Sequence, residues 1–166
     1  MTGDGGRAAR SRGQPTDPAS GHPFWSFSLA VYGRPGVPAA CLALQDGRGV
    51  DVNLLLFAAW AGRECATPLS VETLGRIDAA VSDWRLEVVR PLRAVRRRLK
   101  GEDEALYQRL KAVELAAERI QQDRLFAAGG LAPRPGGDWA LAAANMALLV
   151  PGGDPALDAL VALIGA

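Results

Sequence analysis

Histidine and cysteine are scarce in this chain of 166 residues: one histidine, His22, and two cysteines, Cys41 and Cys65. A structural zinc site uses about four ligands, so this set makes no convincing metal centre, and no metal or cofactor is expected. Apolar neighbours surround both cysteines, which therefore read as buried thiols of a reducing compartment; a disulfide would require the helices carrying them to touch. Charge of one sign is also missing. Lys and Arg number 19 against 18 Asp and Glu, a net charge of +1, which removes any global pull toward nucleic acid or anionic membrane and makes electrostatic function local. Long apolar runs are absent as well. Val50–Ala61, broken by Asp51, and Trp139–Val150 reach only about a dozen residues, where a membrane span needs roughly 20. No nucleophile stands beside its base and no glycine-rich phosphate loop is present, so the residues point away from an enzyme. The chain is expected to be cytoplasmic, with no membrane partner.

What remains is helix. No segment shows the period-two alternation of a strand. Residues 1–22 are Gly, Pro, Ser and Arg with little to bury and no apolar stretch resembling a secretory signal, so a disordered tail is expected there. Residues 23–166 then read as one helical domain. Phe24–Tyr32 forms a short apolar helix ended by Gly33-Arg34-Pro35-Gly36, and Pro38 sits in the first turn of a second helix that runs to Asp46-Gly47. Asp51 or Asn53 caps a third helix, from about 53 to 64, that is apolar nearly all round and belongs at the centre of a bundle.

Ser70 opens the longest pattern. Leu74, Ile77, Val81, Trp84, Val88, Leu92, Val95 and Leu99 recur at steps of three and four, with Pro91 inside the stripe as a kink. Gly101 and Asp103 mark a tight turn into a partner helix whose stripe is Leu106, Leu110, Val113, Ala117 and Ile120. The two make a long kinked antiparallel hairpin over 70–127 that places Arg90 near Glu114. Asp138 caps a helix over Trp139–Val150, and Asp154 with Pro155 starts a last one to Ile164. The fold class is thus all-α, a single-domain bundle of about six to seven helices.

Charge is divided along the hairpin. Arg85, Arg90, Arg93, Arg96, Arg97, Arg98 and Lys100 face only Glu87 between residues 85 and 100, while 102–123 carries six acids against Arg109, Lys111 and Arg119. A basic helix pairing with an acidic one accounts for much of this. The surplus leaves Arg93, Arg96, Arg97 and Lys100 on one helix side as a binding face. No aromatic residue interleaves these arginines, so base stacking has no platform, and nucleic acid is the less favoured partner.

Glu114 and Glu118 lie one helical turn apart, a spacing that suits ion pairing, acid–base work or a metal. A di-metal bundle would also need an E-x-x-H motif, which is missing. Gln45, Asp46, Asp51 and Asn53 cluster in LQDGRGVDVN. Read as a calcium loop from Asp46, this segment places Arg48, Val50 and Phe57 where oxygen ligands belong, so helix capping or the mouth of a polar pocket is the better reading. Asn145 reads as a satisfied core amide, and Trp25, Trp60, Trp84 and Trp139 as core rather than a cofactor box.

The ordered motifs FW, VY-x-x-PGV, LQD-x-x-G-x-DVNLLL and PLR-x-x-RR resemble a family of short bacterial proteins of unknown function, chiefly proteobacterial. The resemblance covers roughly residues 22–127. It implies a cytoplasmic, largely helical protein, and no reaction, cofactor or ligand.

Two functions from different classes follow, with a third behind them. The first is a protein-binding or adaptor module that uses the Arg93, Arg96, Arg97 and Lys100 face on another protein. The alternative is a small-anion or metabolite-binding protein, or an enzyme, with a polar pocket of Asp46, Asp51, Asn53, Arg90, Glu114 and Glu118. RNA binding is third. Whether the 45–53 turn and the 114–118 turn meet in one concavity separates the first two.

Overall fold

The computed structural model describes residues 21–166. Its helices are α1 (Pro23–Tyr32), α2 (Val37–Arg48), α3 (Val52–Arg63), α4 (Val71–Ala79), the single turn α5 (Ser82–Trp84), α6 (Arg90–Leu99), α7 (Glu104–Gly129), α8 (Trp139–Ala147) and α9 (Pro155–Gly165). A π-helical segment, Arg85–Val89, joins α5 to α6. Eight of these helices have nine residues or more, and the described residues contain no strand. The all-α class follows the helical periodicity, and the helices form one body.

Apolar all round, α3 is the axis of that body. Every residue from Asn53 to Gly62 is buried, and each large apolar side chain taken out of water contributes about 1.5–3 kcal/mol. Phe24, Phe57, Trp60 and Phe126 form an aromatic cluster about it, with neighbouring ring centroids 5.4–5.7 Å apart. Asp51 starts α3 by accepting the Leu54 N–H at 3.1 Å, so the cap is Asp51 and not Asn53. On the opposite side α8 lies almost backbone to backbone with α3. A Cβ at Gly62 would come 2.5 Å from the Ala142 nitrogen, so only glycine permits the approach. Asn145 accepts from the Leu69 N–H at 2.9 Å and donates to the Ala58 and Thr67 carbonyls at 3.2 and 2.9 Å, a fully engaged core amide.

Several expectations are corrected. The stretch from Ser70 to Lys100 is not one kinked helix. It breaks at Ala80–Val81, and the π-helical segment follows, in which the Arg90 N–H reaches back five residues to the Arg85 carbonyl. Pro91 has no N–H and its ring crowds the preceding turn, and the widened π turn accommodates both. That break raises the expected six to seven helices to eight. Gly47 lies inside α2, which ends at Gly49 in the left-handed conformation (φ 67°). Of the expected tail over 1–22, residues 1–20 fall outside the described residues. His22 belongs to the folded body: it stacks on Phe126 at 4.4 Å, and its Nδ1 accepts the Trp25 N–H to cap α1.

The hairpin of α6 and α7 forms as expected, but α7 is turned. Val113 and Ile120, expected in the seam, are 50% and 40% exposed. The inward face is Glu114, Ala117, Gln121, Gln122 and Leu125. Glu114, Gln121 and Gln122 can enter the interior because arginines and Asn53 wait there to bond them. Among the tryptophans only Trp60 is fully buried. Trp25, Trp84 and Trp139 are partly exposed, with Arg119, Arg124 and both Arg34 and Arg63 stacked over them. Both cysteines are buried and free, and burial pushes their thiols up to about 12 for Cys41 and about 11 for Cys65.

Candidate functional site

Where α1, the end of α2, the start of α3, α6 and α7 come together, two recesses adjoin. Helical spacing supplies their walls. Trp25, Ser28, Leu29 and Tyr32 share one side of α1, and Glu114, Glu118, Gln121 and Gln122 recur on the inner side of α7. The first recess, about 300 Å³, is lined by those α1 residues with Leu42, Gln45, Val52, Asn53, Leu56, Arg93, Arg96, Lys111, Glu114, Leu115, Glu118 and Gln122. The second, about 360 Å³, is lined among others by Asp46, Asp51, Arg85, Arg90, Arg93, Arg97 and Gln121.

Arg93 lines both. Its guanidinium donates from Nε to Glu114 Oε1 at 3.1 Å, from Nη1 to Gln45 Oε1 at 2.6 Å and from Nη2 to Glu118 Oε1 at 2.7 Å. One side chain of α6 thereby ties the end of α2 to two turns of α7. Arg96 donates to both oxygens of Glu114 and stacks over Tyr107 at 5.8 Å. A fork meeting a carboxylate in this way is the strong form of charge-assisted bond.

The two glutamates differ in electrostatics although they sit one turn apart. Burial pushes the Glu114 carboxyl up, but the hydrogen bonds and charges of Arg96 and Arg93 outweigh it and hold it below the usual carboxylate range. For Glu118 burial prevails. Arg93 opposes it, the charges of Glu114 and Asp51 reinforce it, and the carboxyl is held above its ordinary value.

A second polar chain runs beneath. Asp51 Oδ2 accepts from Arg85 Nη1 at 3.0 Å and from Gln121 Nε2 at 2.6 Å. Asn53 donates to Gln121 Oε1 at 3.3 Å and accepts from Gln122 Nε2 at 2.8 Å. Arg85 also pairs with Asp78. Within this otherwise engaged network three buried atoms that belong to recess-lining residues have no partner: Ser28 Oγ and Gln122 Oε1 at the first recess, and Arg85 Nε at the second.

The residues expected to form one pocket are divided between the two recesses. Asn53 lines both, Glu114 and Glu118 line the first, and Asp46, Asp51 and Arg90 line the second. The 45–53 and 114–118 turns do converge. Arg90 does not meet Glu114; Arg93 and Arg96, nearer the turn of the hairpin, do. The expected basic face is divided too. Arg93 and Arg96 point into the hairpin, Arg97 bonds Asp46 at 3.1 Å, and Lys100 is exposed outside both recesses. Sequence reasoning missed Ser28, Gln121, Gln122 and Arg85 as site residues. The signal was available: Gln121 and Gln122 lie seven and eight residues after Glu114, on its face, and Ser28 stands at the buried phase between Phe24 and Val31.

Among the described residues no group of three or more His, Cys, Asp and Glu side chains could hold a metal ion. No single helix of the described residues is long and apolar enough to cross a membrane. No curated protein and no solved structure matches the chain. One family model does, over residues 23–125, which takes in α1 to α6, nearly all of α7, and with them both recesses. On that match the chain belongs to the family described as a protein of unknown function (DUF2390).

Proposed function

We propose that the protein binds a small amphipathic molecule in the first recess. One observation carries this reading: Ser28 and Gln122, which line a largely apolar cavity, each hold a buried side-chain oxygen without a partner. Leaving a buried polar atom unpaired costs about 1–3 kcal/mol, so a ligand that supplies the missing bonds gains affinity there. Its apolar body lies against Trp25, Leu29, Leu42 and Leu56, and its polar end faces Gln122, Arg96 and Lys111. A volume of about 300 Å³ is at the small end of ligand cavities, which favours a metabolite over a peptide. Contact of the Arg93, Arg96, Arg97 and Lys100 face with another protein or with RNA has less support, since Arg93 and Arg96 are engaged by Glu114 and Glu118 within the hairpin.

The test uses 1-anilinonaphthalene-8-sulfonate, whose ring body and single charge match the two ends of the recess. Saturable fluorescence enhancement with quenching of Trp25 is expected, abolished in Leu42→Trp, which fills the recess from its rim. Ser28→Ala should leave the melting temperature of the free protein unchanged or higher, because its hydroxyl has no bond to lose, and should weaken probe binding. Equal probe binding in wild type and Leu42→Trp would refute the proposal.

A further inference from the structure

The second recess has a different chemistry. Four arginines, Arg85, Arg90, Arg93 and Arg97, line it against two carboxylates, Asp46 and Asp51, and the first turn of α3 opens onto it through Val52 and Asn53. Not all of this positive charge is neutralised in place. Arg90 makes no hydrogen bond or ion pair with another side chain among the described residues, and Arg97 has one nitrogen on Asp46. Arg85, itself mostly buried with a side chain 14% exposed, has its Nε–H buried with no acceptor. Arg93 is saturated by Gln45, Glu114 and Glu118 and serves as a wall.

We infer that this recess is an anion site for the dianionic phosphate group of a small phosphate monoester. Arg90 is the one lining arginine without a carboxylate partner among the described residues, Arg97 keeps free nitrogens beside its bond to Asp46, and planar guanidinium forks match phosphate oxygens in bidentate geometry. The positive end of the α3 dipole adds in the same direction. The phosphate would accept from Arg90 and Arg97 at the mouth. Asp51 positions Arg85, and Asp46 holds Arg97 over the opening. The site does not depend on what occupies the first recess.

Calorimetric titration of the full chain with inorganic phosphate tests this. Saturable binding is expected, weakened on the order of tenfold in Arg90→Gln and in Arg97→Gln, and falling as salt is raised. Arg98→Gln, whose guanidinium pairs with Glu102 outside the recess, and Leu42→Trp in the first recess should both bind phosphate as wild type does. Glycerol 3-phosphate distinguishes the source: tighter binding than inorganic phosphate assigns the site to an ester, and equal binding to the free ion. Absence of saturable binding, or the same affinity in Arg90→Gln, Arg97→Gln and Arg98→Gln with helical circular dichroism intact, would overturn the inference. Loss of probe binding in Leu42→Trp with phosphate binding retained would show the two sites to be separate.

Discussion

Glu114 and Glu118 offer a test in which two chemically identical substitutions, one helical turn apart, have opposite expected consequences. Glu114 is 6% exposed and receives Arg93 Nε and two nitrogens of Arg96. Glu114→Gln keeps the shape but removes the charge and sets an amide NH₂ against a guanidinium, leaving Arg96 without a carboxylate and Arg93 with Glu118 alone. Breaking a buried pair from one side costs about 3–5 kcal/mol, a large part of the roughly 5–15 kcal/mol that holds a domain folded. At about 2–4 °C per kcal/mol for a domain of this size, the melting temperature should fall by roughly 6–20 °C.

Glu118→Gln should change stability by under about 1 kcal/mol at neutral pH, because the amide oxygen still accepts from Arg93 and the cost of ionising a buried carboxyl disappears. The pH dependences have opposite signs. The folded Glu114 carboxyl lies below the ordinary value of 4.5, so its contribution is present above that value and is lost as pH falls through its folded value. The folded Glu118 carboxyl lies above the same value, so its contribution is present below 4.5 and is lost as pH rises through its folded value. Urea unfolding followed by far-UV circular dichroism from about pH 2.5 to pH 8 covers both windows. A Glu114→Gln loss under about 1 kcal/mol, well short of the buried-pair cost, or a Glu118→Gln loss exceeding it, would refute the electrostatic account.

Two further outcomes are expected. Asn145→Leu removes one acceptor and two donated bonds from the junction of α8 with the α3–α4 connection; stranding the Leu69 N–H and Thr67 carbonyl should cost about 2–4 kcal/mol, read as a lower urea midpoint at unchanged slope. Cys41 and Cys65, with thiols held up at about 12 and about 11, should react with Ellman's reagent at pH 8 only as fast as the chain opens. Rapid labelling of the native protein would contradict their burial.

The expected family resemblance and the family match coincide over nearly the same residues, and the run of local structure was legible for the same reason. Helix caps and breakers act within a few residues, so Asp103, Asp138 and Asp154 could be placed from local sequence alone, and the cap of α3 narrowed to Asp51 or Asn53. So could the central position of α3, because a helix apolar on every side has nowhere else to go. Which face of α7 turns inward was not legible. Its apolar stripe and its Glu–Gln stripe are both helical, and the choice depended on Arg93, Arg96 and Asn53 arriving from other helices to bond Glu114 and Gln122. The break at Ala80–Val81, the shift of Glu114 from Arg90 to Arg93, and the separation of one expected pocket into two recesses are likewise outcomes of packing. Local periodicity names the helices and their ends. Only the tertiary contacts, by satisfying or stranding polar atoms out of water, decide which side chains face one another.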